Sequence, residues 1–114
     1  MIDINAEVYN ILEGTGYDIV FHYPQRLGAL PVVSFYTVSE SGEMSADNVE
    51  MFRSGVIGVD IYANAPAQCG EIAASVGAAL ADNGWGHIMS TDVPEETDGV
   101  FHRAMRYTKS FFVQ

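Results

Sequence analysis

Three histidines, one cysteine and a run of acidic residues are the side chains of this 114-residue sequence whose types could do chemistry. His22, His87 and His102 fall on three separate predicted strands, without the i, i+4 helical pair or the companion cysteine of a zinc site. Half-buried, hydrogen-bonded strand positions account for them better. Asp92, Glu95, Glu96 and Asp98 would attract a cation, but they lack the regular Asp/Asn ladder and closing Glu of a calcium loop and suit a solvated turn. Gly14-Thr15-Gly16 is followed by no Gly-Lys-Ser/Thr, and it ends a helix where a phosphate cradle would begin one. Cys69 lies near a helix N-terminus, which lowers a thiol pKa, yet it sits on that helix's apolar stripe and is assigned to core packing. With no nucleophile beside a base, no matched acid and base and no metal set, the expectation is a protein without catalytic residues or cofactor.

Charge is distributed less evenly. Of the five basic residues, Arg103, Arg106 and Lys109 lie on the last predicted strand, while acids concentrate between residues 40 and 50. Arg103 and Lys109 share a face with Met105, Tyr107 and Phe111. Such a mixture of cations and large apolar groups fits an oligomer interface, and a charge-protected sheet edge fits as well. In the interface reading, Glu40, Glu43, Asp47 or Glu50 of one subunit meets the basic strand of the next. Head-to-tail contacts of this kind close into rings when the rotation permits. The interface candidates are therefore Glu40, Glu43, Asp47, Glu50, Arg53, Arg103, Arg106 and Lys109.

The elements that position these residues are organised around Val49 to Gly84, a long strand running straight into a helix. From Gly55 to Ala63 the odd positions Ile57, Val59, Ile61 and Ala63 are apolar and the even ones include Asp60 and Tyr62, the period of a strand buried on one face. Asn64 is the expected cap and Pro66 fits the first helical turn. Cys69, Ile72, Ala73, Val76 and Leu80 then recur at helical spacing until Asp82-Asn83-Gly84 stops the helix. Upstream, Asp3 or Asn5 caps a first helix striped by Ile4, Val8, Ile11 and Leu12. Tyr17 to Tyr23 and Pro31 to Val38 read as strands, joined by a loop carrying Arg26. Ser39 to Asn48 reads as a polar loop. Downstream, Trp85 to Val93 with Ile88 at its apolar centre, a turn over Pro94 to Gly99, and Val100 to Val113 form a terminal hairpin. The order predicts one α+β domain over 1–114, an antiparallel or mixed sheet with two helices on one face.

That length fits one core, and 48% apolar residues can fill it. The formal charge of −10 argues against binding nucleic acid or anionic membrane directly, since both require basic surface. One cysteine allows no intrachain disulfide. No run of 18 apolar residues is present, and Met1-Ile2-Asp3-Ile4 lacks a secretory pattern, so a cytoplasmic site of synthesis and storage is expected.

The chain resembles the tail terminator or tail completion proteins of long-tailed bacteriophages and prophages. The residues carrying the resemblance are Tyr23-Pro24, Leu30-Pro31-Val32-Val33-Ser34-Phe35, Val56-Ile57-Gly58-Val59-Asp60-Ile61-Tyr62-Ala63, the Ala-rich helix ending Ala78-Ala79-Leu80, and Arg106-Tyr107-Thr108-Lys109-Ser110-Phe111. The resemblance implies an α+β subunit that forms a ring, commonly a hexamer, on the head-proximal end of the tail tube. The ring stops tube growth and joins the head connector, and DNA passes through it without specific binding. Its place would be the virion, after assembly in the host cytoplasm. Two other readings remain open: a head-side connector or stopper subunit, and a small cytoplasmic ligand-binding regulatory domain whose pocket would be lined by Tyr17, Phe21, Tyr23 and Tyr36.

Overall fold

A computed structural model describes residues 3–21, 30–44 and 50–112. The elements are α1 (Ile4–Glu13), β1 (Ile19–Phe21), β2 (Val32–Met44), β3 (Glu50–Ala63), α2 (Pro66–Asp82), β4 (Gly86–Val93) and β5 (Phe101–Phe112). The strands form one sheet in the order β1-β2-β3-β5-β4. β1 runs parallel to β2, and every other pair is antiparallel. This is the mixed-sheet form of the α+β fold that the element order predicts.

Alternation along the strands divides the sheet into two unlike faces. One carries Val33 and Phe35, then Ile57, Val59 and Ile61, then Met105, Tyr107 and Phe111. All of these are buried in one cluster with Ile4, Val8 and Leu12 of α1 and Cys69, Ile72, Val76 and Leu80 of α2. Buried helical residues at i, i+4 and i+8 in α1 place its stripe directly on the strands. Trp85, just past α2, is also buried, at 2% exposure. Its indole N–H donates to Glu7 Oε2 at 3.1 Å, and Lys109 Nζ donates to the same oxygen at 3.2 Å. One carboxylate of α1 thus joins the end of α2 to β5. The other face of the sheet carries Ser34, Tyr36, Asp60, Tyr62, His102 and Arg106.

Several boundaries differ from the sequence expectation, each for a physical reason. The segment expected to be a loop at 39–48 is strand as far as Met44, because Ser39 to Glu43 pair with Phe52 to Val56 in an antiparallel ladder. Backbone pairing forms that arm. Residues 38–42 are all exposed and supply no hydrophobic period. Asn64 does not cap α2: the N-cap is Ala65, without a side-chain cap, and Asn64 N–H donates to Gln68 Oε1 at 2.9 Å. In α1 the cap is Asp3, whose Oδ1 accepts from Ala6 N–H, while Asn5 accepts from Thr37 Oγ1 at 2.7 Å. β1 begins at Ile19, two residues after the expected Tyr17, and the far end of that expected strand, with His22 and Tyr23, lies outside the described residues, as does Arg26. Ile88 is not the buried centre of β4. It is 51% exposed, and Trp85 is the buried residue there.

Ile61 is fully buried at the centre of the helix-covered face. Ile61→Ala is expected to lower unfolding free energy by about 2–5 kcal/mol, read as a shifted urea midpoint at unchanged slope.

Candidate interaction site

The five basic residues of the chain include four that β3 and β5 place in the structure. Three of these have acidic partners within the subunit. Arg53 Nε meets Glu40 Oε2 at 3.4 Å across the β2–β3 arm. Arg103 Nε meets Asp92 Oδ1 at 3.3 Å across the β4–β5 pair. Lys109 meets Glu7 at 3.2 Å and also lies 4.9 Å from the centre of the Phe111 ring. The face that Arg103 and Lys109 share with Met105, Tyr107 and Phe111 is the helix-covered core face, and the two cations sit at its margins with carboxylates. Large apolar groups and cations coexist there because the helices cover the former and leave room for water at the latter. Of the acidic candidates, Glu43 and Glu50 fall within β2 and β3, and Asp47 lies outside the described residues.

Arg106 belongs to the opposite face. Its guanidinium lies over the Tyr36 ring, 5.4 Å from the centroid, and a Cβ on the intervening Gly58 would collide with both side chains. Glycine at 58 is what lets the cation cross β3 to reach the aromatic face, a contact favourable by electrostatics with the ring quadrupole. Arg106 Nη1 and Ser34 Oγ are buried on this face without a hydrogen-bond partner among the described residues.

Beside them lies a constellation that strand spacing alone does not reveal. His102 of β5 stands opposite Tyr62 of β3 and stacks on it with centroids 4.2 Å apart. Its Nε2 is 2.7 Å from Asp60 Oδ1, and its Nδ1 is 2.7 Å from Glu95 Oε1 in the β4–β5 connection. Two carboxylates accept only if both ring nitrogens donate, so the geometry holds an imidazolium. Burial lowers the His102 pKa, but the hydrogen bonds and negative charges of Asp60 and Glu95 outweigh it and raise the pKa above 6.5. An imidazolium so occupied has no lone pair with which to act as a base. Its effect is structural, tying the β4–β5 connection to the sheet. The histidine was legible as a half-buried strand position, but its partners, 42 and 7 residues away, were not.

The remaining candidates are dispersed. Cys69 is buried, its Sγ 3.3 Å from the Phe101 carbonyl, and desolvation raises its pKa from 9.0. It is the core residue expected from the helical stripe. His87 contacts Ser90 and the Tyr107 ring at the other end of β4. Among the described residues, no group of three or more His, Cys, Asp and Glu is arranged for a metal. Of the residues expected to line an aromatic pocket, Phe21 packs edge-on against Phe35, 5.4 Å away, on the face opposite Tyr36, and Tyr23 lies outside the described residues. A cleft of about 370 Å³ does open between the start of α2 and the β4–β5 connection, lined by Pro66, Cys69, Asp92, Glu95, His102 and Arg103 among others.

Because the native pKa of His102 is raised, its stabilisation is complete below the unfolded value of about 6.5 and is lost as pH rises through the native value. The difference in urea midpoint between the wild type and His102→Gln is expected to be largest on the acidic side and to shrink toward alkaline pH. A pH-independent difference would contradict the bridged imidazolium.

No family model and no curated protein matches the chain. Among solved structures it is similar to a chain of the virion of a native gene transfer agent (GTA) particle, with a TM-score of 0.70 and 16% sequence identity. The similarity covers 96% of this chain and 95% of that one, so the two share a fold from end to end.

Proposed function

We propose that the protein is a structural component of a phage-like virion, and specifically a tail terminator: a subunit that forms a ring on the finished tail tube, stops its growth and provides the surface to which the head connector joins. The observation that carries this reading is the fold match to a chain of a gene transfer agent virion, which extends over 96% of this chain and 95% of that one. The sequence resemblance to tail terminators supports the finer assignment. An elongated body is consistent with it: the extents are 55 × 25 × 22 Å, with the β2–β3 arm projecting from the helix-covered part of the sheet.

In this reading the protein acts by contact and without catalysis. Subunits associate into a ring strengthened by tube contacts that are repeated around the symmetry axis, and multivalent docking makes the assembled cap more durable than any one contact. Its partners are further copies of itself, the tail tube protein and the head connector protein, and DNA passes through the ring. With a net charge of −10, the subunit repels the phosphate backbone, which favours passage over retention. Of the basic interface candidates, Arg53, Arg103 and Lys109 have carboxylate partners within the subunit and Arg106 lies over Tyr36, so a ring contact through them shares these cations with a neighbour's carboxylates.

A tail assembly reaction lacking the protein should yield overgrown tubes or tubes that fail to join heads, as seen by negative-stain microscopy, and adding the purified protein should restore length and joining. Tubes of normal length that join heads in its absence would refute the assignment. Capture by tail tube protein is expected; capture by a portal adaptor alone would move the protein to the head side of the joint.

A further inference from the structure

Among the described strands, the sheet has an edge on each side that is wholly or partly unpaired, and the two match each other. On one side, β1 covers β2 only at Val33 to Phe35, so the outer edge of β2 from Thr37 to Gly42 faces no described strand. Val38 to Gly42 are exposed. On the other side, β4 is the terminal strand, and seven of its eight residues are exposed. Natural edge strands are commonly protected by Lys, Pro or brevity. Gly86 to Thr91 contains no charged residue and no proline, and Ile88 and Met89 project from it at 51% and 39% exposure.

We propose that the β4 edge of one subunit pairs with the β2 edge, Thr37 to Gly42, of the next, joining successive sheets around an oligomer. The proposal rests on the ring reading above for its closed, head-to-tail assembly. Three observations favour a second copy of this chain as the occupant. The edges lie on opposite sides of one sheet, as head-to-tail association requires, and have similar lengths. β4 and β2 run in opposite directions within the subunit, so a neighbour turned about an axis near the strand direction presents an antiparallel ladder. Finally, subunits carrying −10 each repel on approach, and the uncharged Gly86–Thr91 segment and Thr37-Val38-Ser39 are where that repulsion is least.

Each edge also carries an irregularity, between Thr37 and Ser39 in β2 and between His87 and Met89 in β4. The residues at these shifts are Val38 and Ile88, both exposed aliphatic side chains, at 44% and 51%. Bulges increase local twist and bend a sheet, the curvature that a closed arrangement of sheets needs. An exposed aliphatic side chain thus lies on each edge strand, where the neighbour would cover it.

The test is site-directed cross-linking. Ser39→Cys and Thr91→Cys place one exposed thiol on each edge, while the native Cys69 is buried and slow to react. With a short bis-maleimide, the doubly substituted protein should give a ladder of covalent oligomers on a denaturing gel, and each single variant should remain monomeric. Covalent dimers from Thr91→Cys alone would overturn the proposal in favour of a two-fold β4–β4 contact. Rings visible by microscopy without a ladder would overturn the edge pairing and leave the ring reading standing. Absence of any oligomer, even on tail tubes, would remove both. As a second variant, Ile88→Lys should keep the wild-type circular dichroism and urea midpoint, because the residue is exposed, yet weaken ring association by roughly tenfold or more by placing a charge in the joint. Unchanged association would count against the pairing.

Discussion

The structure depends on the pairing of β3 with β5, which runs from Phe52↔Phe112 to Ala63↔Phe101 without a break in register. A shift of one residue would exchange the two faces of β5. Met105 and Tyr107 would leave the core, and Arg106 and His102 would enter it. The apolar alternation of β3 and its neighbours prevents that shift, because Ile57, Val59 and Ile61 are fully buried against the helices and need apolar neighbours. Both helices are then placed by the same face.

The register also explains the chemistry of the opposite face. Asp60 and Tyr62 are two residues apart on β3, and β5 brings His102 against them while the β4–β5 connection brings Glu95. A buried carboxylate such as Asp60, 4% exposed, needs a partner, and the imidazolium supplies one. Four positions along, Arg106 crosses Gly58 onto Tyr36. The polar groups on this face are thus organised by strand pairing, in a way suited to fixing shape. Beyond the core, the β2–β3 arm and β4 carry the exposed surface of the sheet, and association through them would leave the packed body intact.

Sequence periodicity alone determined the element order, the α+β class and most of the core. The stripe at Cys69, Ile72, Val76 and Leu80 and the alternation at Ile57, Val59 and Ile61 are repeats of local geometry, and they are legible because each turn or pleat imposes its own period. Composition likewise fixed the charge and the scarcity of cysteine. Tertiary structure decided what depends on partners remote in the chain. The segment at Ser39 to Met44 is strand because Glu50 to Val56 pairs with it, although its own residues carry no strand period. Trp85, and not Ile88, became the buried residue beside β4, because Glu7 and the end of α2 form its pocket. The cations acquired Glu40, Asp92 and Glu7 as partners, and His102 acquired Asp60 and Glu95, through contacts across the sheet and between layers. Local spacing cannot encode those meetings, because strand order and register set them only after the sheet has formed.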